Sequence, residues 1–168
     1  MKTISIIILL MALALSFSSA VGAEEPTKVH PEKVITAIHI NPHPPVIDGI
    51  LNDEVWHKAP ASGDFCQRNP KEGDKPSEDT KIQIAYDDDA IYLGVTCYDK
   101  EPNKIVSRLT RRDGWVEADW VSVNIDSHHD HQTGNWFCVN AAGVLNDGQM
   151  FNDGWEDSSW NGVWEAKT

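Results

Sequence analysis

The chain has 168 residues, 40% hydrophobic and 24% charged, and its 14 basic against 26 acidic residues give a formal net charge of −12. A surface of that sign repels phosphate backbones and anionic headgroups, which argues against nucleic acid and membrane-surface partners. Calcium ions and neutral polar ligands remain compatible with it.

In chain order, MKTISIIILLMALALSFSSAVGA reads as a secretory leader: Lys2, an apolar run from Ile4 to Leu15, then small residues ending at Ala23. The run is too short for a hydrocarbon core of roughly 30 Å, so cleavage after Ala23 is expected, with no cysteine following the cut to carry a lipid anchor. The protein is then exported, to the periplasm, the outer membrane or the outside of the cell. Loss of Lys2 leaves 13 basic against 26 acidic residues, a charge of −13. Residues 24–33 read as a linker, and 34–168 as one domain long enough for a core.

From Val34 onward the pattern is short alternating segments broken by polar turns, the signature of an all-β fold. KVITAIHI alternates Val34, Thr36, Ile38 and Ile40; TKIQIAYD alternates Ile82, Ile84 and Tyr86; AIYLGVTCYD puts Ile91, Leu93, Val95 and Cys97 on one face. Asp87, Asp88 and Asp89 make the hairpin turn between the last two. A short helix is expected from Asn52 as N-cap, carrying Trp56 to the core. Arg68 to Asp79, rich in Pro and charge, reads as a long surface loop. DWVSVNID turns Val121, Val123 and Ile125 inward and pairs with NWFCVN as a second hairpin.

The connection between those strands, DSHHDHQTG, holds His128, His129 and His131 beside Asp126 and Asp130, residue types that suit a divalent ion. Neighbouring histidines on a turn diverge, however, and no fourth ligand stands at a standard spacing, so the segment reads as an exposed turn without a tight transition-metal site. Cys66, Cys97 and Cys138 are odd in number and form no disulfide framework; buried inert thiols are expected for the latter two.

Two carboxylates poised across a scissile bond cannot be singled out, and GxSxG, P-loop and dinucleotide fingerprints are absent, so the residues suggest no catalyst. Binding chemistry is better represented. Of seven tryptophans, Trp56, Trp120 and Trp136 read as core; Trp115 and Trp155 lie among glycines and acids, and Trp160 and Trp164 share a face if SWNGVWEA is a strand. An exposed indole covers the C–H face of a hexose while polar neighbours take the hydroxyls. Trp115, Trp155 and Trp160 are the candidate platforms, with Arg112, Asp113 and Asn152 as polar neighbours and Arg112 as a hydroxyl-binding fork. The alternative for Arg111 or Arg112 is simple pairing with Asp113 or Asp119.

PPVIDGILNDEVWHKA, TKIQIAYDDDAIYLGVTCYDKEPNKI, RRDG, DWVSVNID, FCVNAAGVLNDG and SWNGVWEAKT together resemble the family 9 carbohydrate-binding module-like domains, from about Pro44 to the last residue. The nearest form is the amino-terminal module of long exported bacterial proteins that continue into an outer-membrane β-barrel. The resemblance implies a two-sheet antiparallel β-sandwich, immunoglobulin-like or jelly-roll-like, that grips a glycan end between aromatic platforms, often with structural calcium. Asp87, Asp88, Asp89, Asp126 and Asp130 offer oxygen ligands for such an ion, with plain solvation as the alternative. The family pattern continues past VWEAKT, so the sandwich is expected to lack its last strands.

Three functions follow as expectations. The first is non-catalytic binding of an oligo- or polysaccharide, with possible attachment to a glycoside hydrolase acting on O-glycosyl bonds. The second is an assembly domain of an outer-membrane barrel protein without sugar binding. The third, a metal-binding or redox sandwich using His and Met, has weak support from three methionines.

Overall fold

Alternating apolar residues bury one face of a strand, and such faces must meet another layer. A computed structural model describes residues 33–41, 43–152 and 154–168, together with the backbone of 4–10. Among the described residues nine strands form two sheets. They are β1 (Ile4–Leu10), β2 (Ala37–His39), β3 (Thr80–Tyr86), β4 (Ile91–Cys97), β5 (Trp120–Ile125), β6 (Gly134–Asn140), β7 (Leu145–Phe151), β8 (Trp155–Asp157) and β9 (Ala166–Lys167). The first sheet has the order β2-β3-β4-β1-β9 and the second β5-β6-β7-β8. The fold is the expected all-β sandwich, antiparallel throughout except for the parallel β2–β3 pair.

The main core lies between the sheets. Leu93 and Val95 from β4, Phe137 and Val139 from β6, Trp164 and Ala166 are buried there, with Ile82, Ile84, Val121, Val123 and Ile125 packed around them. Ile82, Ile84, Leu93, Val95, Val121, Val123 and Ile125 are inward positions that the alternation assigns; Tyr86, placed with them, is exposed. Trp160 and Trp164 both set their rings edge-on to Phe137, at 5.9 and 5.3 Å.

A second cluster covers the other face of the first sheet. The helix α1 (Glu54–Lys58) lays Trp56 and the following Ala59 against Ala85, Ala90 and Tyr92. Gly94 is required there: a Cβ would come within 3.0 to 3.1 Å of Leu51 and Trp56. Gln83 ties the helix down by donating to the carbonyls of Trp56 and Ala59 at 2.6 and 2.7 Å. Strand β4 is therefore covered on both faces and reads as a nearly continuous apolar run.

Several local expectations are corrected. KVITAIHI gives only three strand residues, because Val34 and its neighbours stand in solvent and only Ile38 and Ile40 reach the second cluster. The helix N-cap is Asp53 rather than Asn52. SWNGVWEA is no strand; Trp160 and Trp164 meet Phe137 from an irregular segment. Strands β7 and β8, polar in composition, were not anticipated. Of the segment read as leader, only Ile4–Leu10 lies within the described residues, and it forms β1 inside the first sheet.

All three thiols are free: Cys66 is exposed, and burial pushes the Cys97 and Cys138 thiols above the ordinary range. No helix among the described residues is long and apolar enough to cross a membrane.

Candidate functional site

The six residues expected to bind sugar fall at two ends of the second sheet. Strand directions put the β5–β6 loop and the β7–β8 turn at one end, and the start of β5 with the start of β7 at the other. Asn152 and Trp155 belong to the first end; Arg112, Asp113 and Trp115 to the second. Four residues of β7 separate Asp147 from Phe151, the partner of Trp155, roughly 13 Å at about 3.3 Å per residue.

At the second end, Arg112 is scaffold. Its guanidinium donates to Asp147, a fully buried carboxylate, and its Nε lies 3.6 Å from Asp113. The other Asp147 oxygen accepts from the Gly162 backbone N–H at 2.5 Å. Pairing with Asp113 was foreseen, whereas Asp147 was not, because nothing in LNDGQMF marks a buried acid. Asp113 adopts φ 61° and donates its N–H to the Leu145 carbonyl at 3.1 Å, fixing the RRDG turn against β7. Trp160, half-buried, rests beside Gly162, where a Cβ would meet its ring at 2.8 Å. Trp115 is 76% exposed and lies parallel on Trp120, ring centroids 5.1 Å apart and planes 8° apart. Trp120 donates its indole N–H to the Val116 carbonyl, so the stack is anchored from beneath.

The first end holds a cleft of about 370 Å³ between the histidine loop and the last residues of β7. Its lining includes Ser127, His128, Thr133, Asn135, Gln149 and Phe151. The buried amide nitrogen of Asn135 has no hydrogen-bond partner. Phe151 pairs directly with Trp155 across β7 and β8, so both side chains rise from the same face, and Trp155 is 69% exposed. Asn152 sits in the turn between them with φ 50°. Sequence reasoning found Trp155 and Asn152 but missed Asn135, Gln149 and Phe151, since the polar run NDGQ hides a strand.

The histidine loop is built by its own carboxylates. Asp126 accepts from the N–H groups of His128, Asp130 and His131, and Asp130 from those of Gln132 and Thr133 and from the Thr133 hydroxyl. His129 and His131, one residue apart and both at positive φ, set their rings 4.9 Å from each other. Among the described residues no three His, Cys, Asp or Glu side chains are grouped to hold a metal ion. At the other turn Asp87 accepts from the Asp89 and Ala90 N–H groups and the Tyr92 hydroxyl, Asp89 itself standing in the turn, and Asp88 faces His39 at 3.8 Å. An ion at Asp87, Asp126 or Asp130 would displace these donors.

The donors hold the Asp130 carboxyl down at about 2, the Gln132 N–H contributing most, then Thr133. A depressed folded value stabilises the loop fully above the unfolded carboxylate value of roughly 3.9, and the contribution disappears as pH falls toward about 2. Carboxyl chemical shifts followed by NMR are expected to show Asp130 titrating well below the ordinary aspartate range; an ordinary midpoint would contradict the loop geometry.

Comparison with family models, curated proteins and solved structures finds no match for this chain. The functional reading therefore rests on the residues and their geometry.

Proposed function

We propose that the chain is a non-catalytic carbohydrate-binding module of an exported protein, and that the end of a glycan binds at the histidine-loop cleft. The observation that carries this reading is Trp155, largely exposed and paired with Phe151 at a cleft that also offers the amides of Asn135 and Gln149. An indole face covers the apolar side of a hexose while amides and hydroxyls take its rim. A cleft of this size falls in the range of small-ligand sites. Covering about 60 Å² of ring contributes on the order of 1.5 kcal/mol, and a few hydrogen bonds bring the total to about 4 to 8 kcal/mol, millimolar to micromolar affinity. Trp115 on Trp120 is a second flat surface, at the opposite end, for a longer chain.

Among the described residues, the carboxyl groups whose pKa departs from the ordinary value are lowered: Glu54, Asp87, Asp126, Asp130 and Asp157. A glycosidic general acid needs the opposite shift.

Isothermal titration with cello-, xylo- and manno-oligosaccharides tests the reading. Trp155→Ala is expected to weaken binding tenfold or more, about 1.4 kcal/mol, with an unchanged melting temperature. Trp115→Ala should cost little with short oligosaccharides. A larger loss at Trp115 than at Trp155 would move the site to the other end. A folded wild-type chain that binds no glycan across a broad array would leave the second reading, an assembly domain of an outer-membrane protein.

A further inference from the structure

We propose that the first sheet contains a strand-acceptor slot between β4 and β9, which takes an extended, uncharged and predominantly apolar segment of about seven residues running antiparallel to β4. In the full chain Ile4–Leu10 fills it, pairing with β4 from Ile4↔Cys97 to Leu10↔Ile91 and with β9 at Ile7↔Lys167 and Ile8↔Ala166.

The walls of the slot stand without the strand between them. Strand β4 is paired over its whole length with β3. Strand β9 is held from elsewhere: Trp164, two residues before it, packs on Phe137 of the opposite sheet, Ala166 is buried in the same core, and the backbone at Thr168 lies so close to Gly49 that a Cβ there would sit 3.3 Å away. The two walls are separated by the width of one strand, so an empty slot would present two unpaired backbone edges facing each other. Unpaired edges of this kind recruit strands.

The layers on either side fix the chemistry of the occupant. Leu93 and Val95 point into the core between the sheets, while Tyr92 and Gly94 lie under Trp56 and α1. Apolar residues on both faces of β4 favour apolar side chains at successive positions of a strand laid beside it. ISIIILL is apolar at every position but Ser5. It also lies in the segment whose sequence is that of a removable leader. Export with cleavage would vacate the slot, which then accepts a strand of the same character supplied in trans.

The experiment starts from the folded full-length chain with a specific protease site introduced between residues 23 and 24. After cutting, size-exclusion chromatography and hydrogen exchange at the β4 amides are followed with and without a fluorescent, lysine-flanked ISIIILL peptide. The expected result is that the released fragment stays bound and exchanges one-for-one with the peptide, or that it leaves, β4 protection falls at least tenfold, and the peptide restores it. A peptide with proline at the position of Ile7 should do neither. Undiminished β4 protection after the fragment has left would overturn the proposal, as would lost protection that the peptide does not restore.

Discussion

Replacing Arg112 with alanine is expected to destabilise the domain by about 3 to 5 kcal/mol, read as a lower urea midpoint at unchanged slope. The cost comes from Asp147, which has no exposed surface and would keep its charge with only the Gly162 N–H as donor. The reverse change should hurt less. Asp147→Ala leaves an arginine whose side chain is 40% exposed and can hydrate, so a loss of about 2 kcal/mol is expected. The double replacement R112M/D147L removes both charges and should recover most of the stability, because a buried pair exchanged for apolar packing is close to neutral. A loss below about 1 kcal/mol for Arg112→Ala would mean that Asp147 finds water or another partner.

The second large effect is expected at Phe137. Its ring receives Trp160 and Trp164 edge-on at interplanar angles of 74° and 75° and is 4% exposed. Phe137→Ala should cost about 3 to 5 kcal/mol through a cavity that the rigid indoles cannot close, lowering the melting temperature by about 10 °C or more. Phe137→Leu should cost clearly less. Equal losses for the two variants would show that volume contributes little and that the edge-on ring contacts decide.

The sandwich was legible wherever burial is one-sided and the side chains are apolar. DWVSVNI alternates cleanly, and its inward residues were named correctly from period two alone; in AIYLGVTC the same period found Leu93 and Val95 but missed Tyr92 and Gly94, buried on the other face under α1. LNDGQMF was illegible because its inward side carries Asp147, made tolerable by Arg112, which lies 35 residues earlier. That is a tertiary fact with no local signature. The same gap hid Gln149 and Phe151 in the cleft wall, whereas Asn152 and Trp155, just beyond it, could be picked out. Arg112 was recognised as important, yet its role turned on a buried partner that spacing cannot reveal. Conversely, the acids of DSHHDH looked like ligands because ion binding and loop building call on the same oxygens; only hydrogen-bond partners distinguish the two uses.

The three thiols give the protein a built-in chemical address. Cys97 and Cys138 are partly buried, with thiolates disfavoured by that burial, and Cys66 alone is exposed. Thiolate is the reactive form, so alkylating reagents discriminate in favour of Cys66 while the domain is folded. Cys66 lies four residues after Ser62, which bridges to Ile82 in the first sheet. A dye, spin label or surface tether attached there would leave the indoles, the cleft and the slot unmodified, giving a uniformly oriented immobilised domain without any engineered residue.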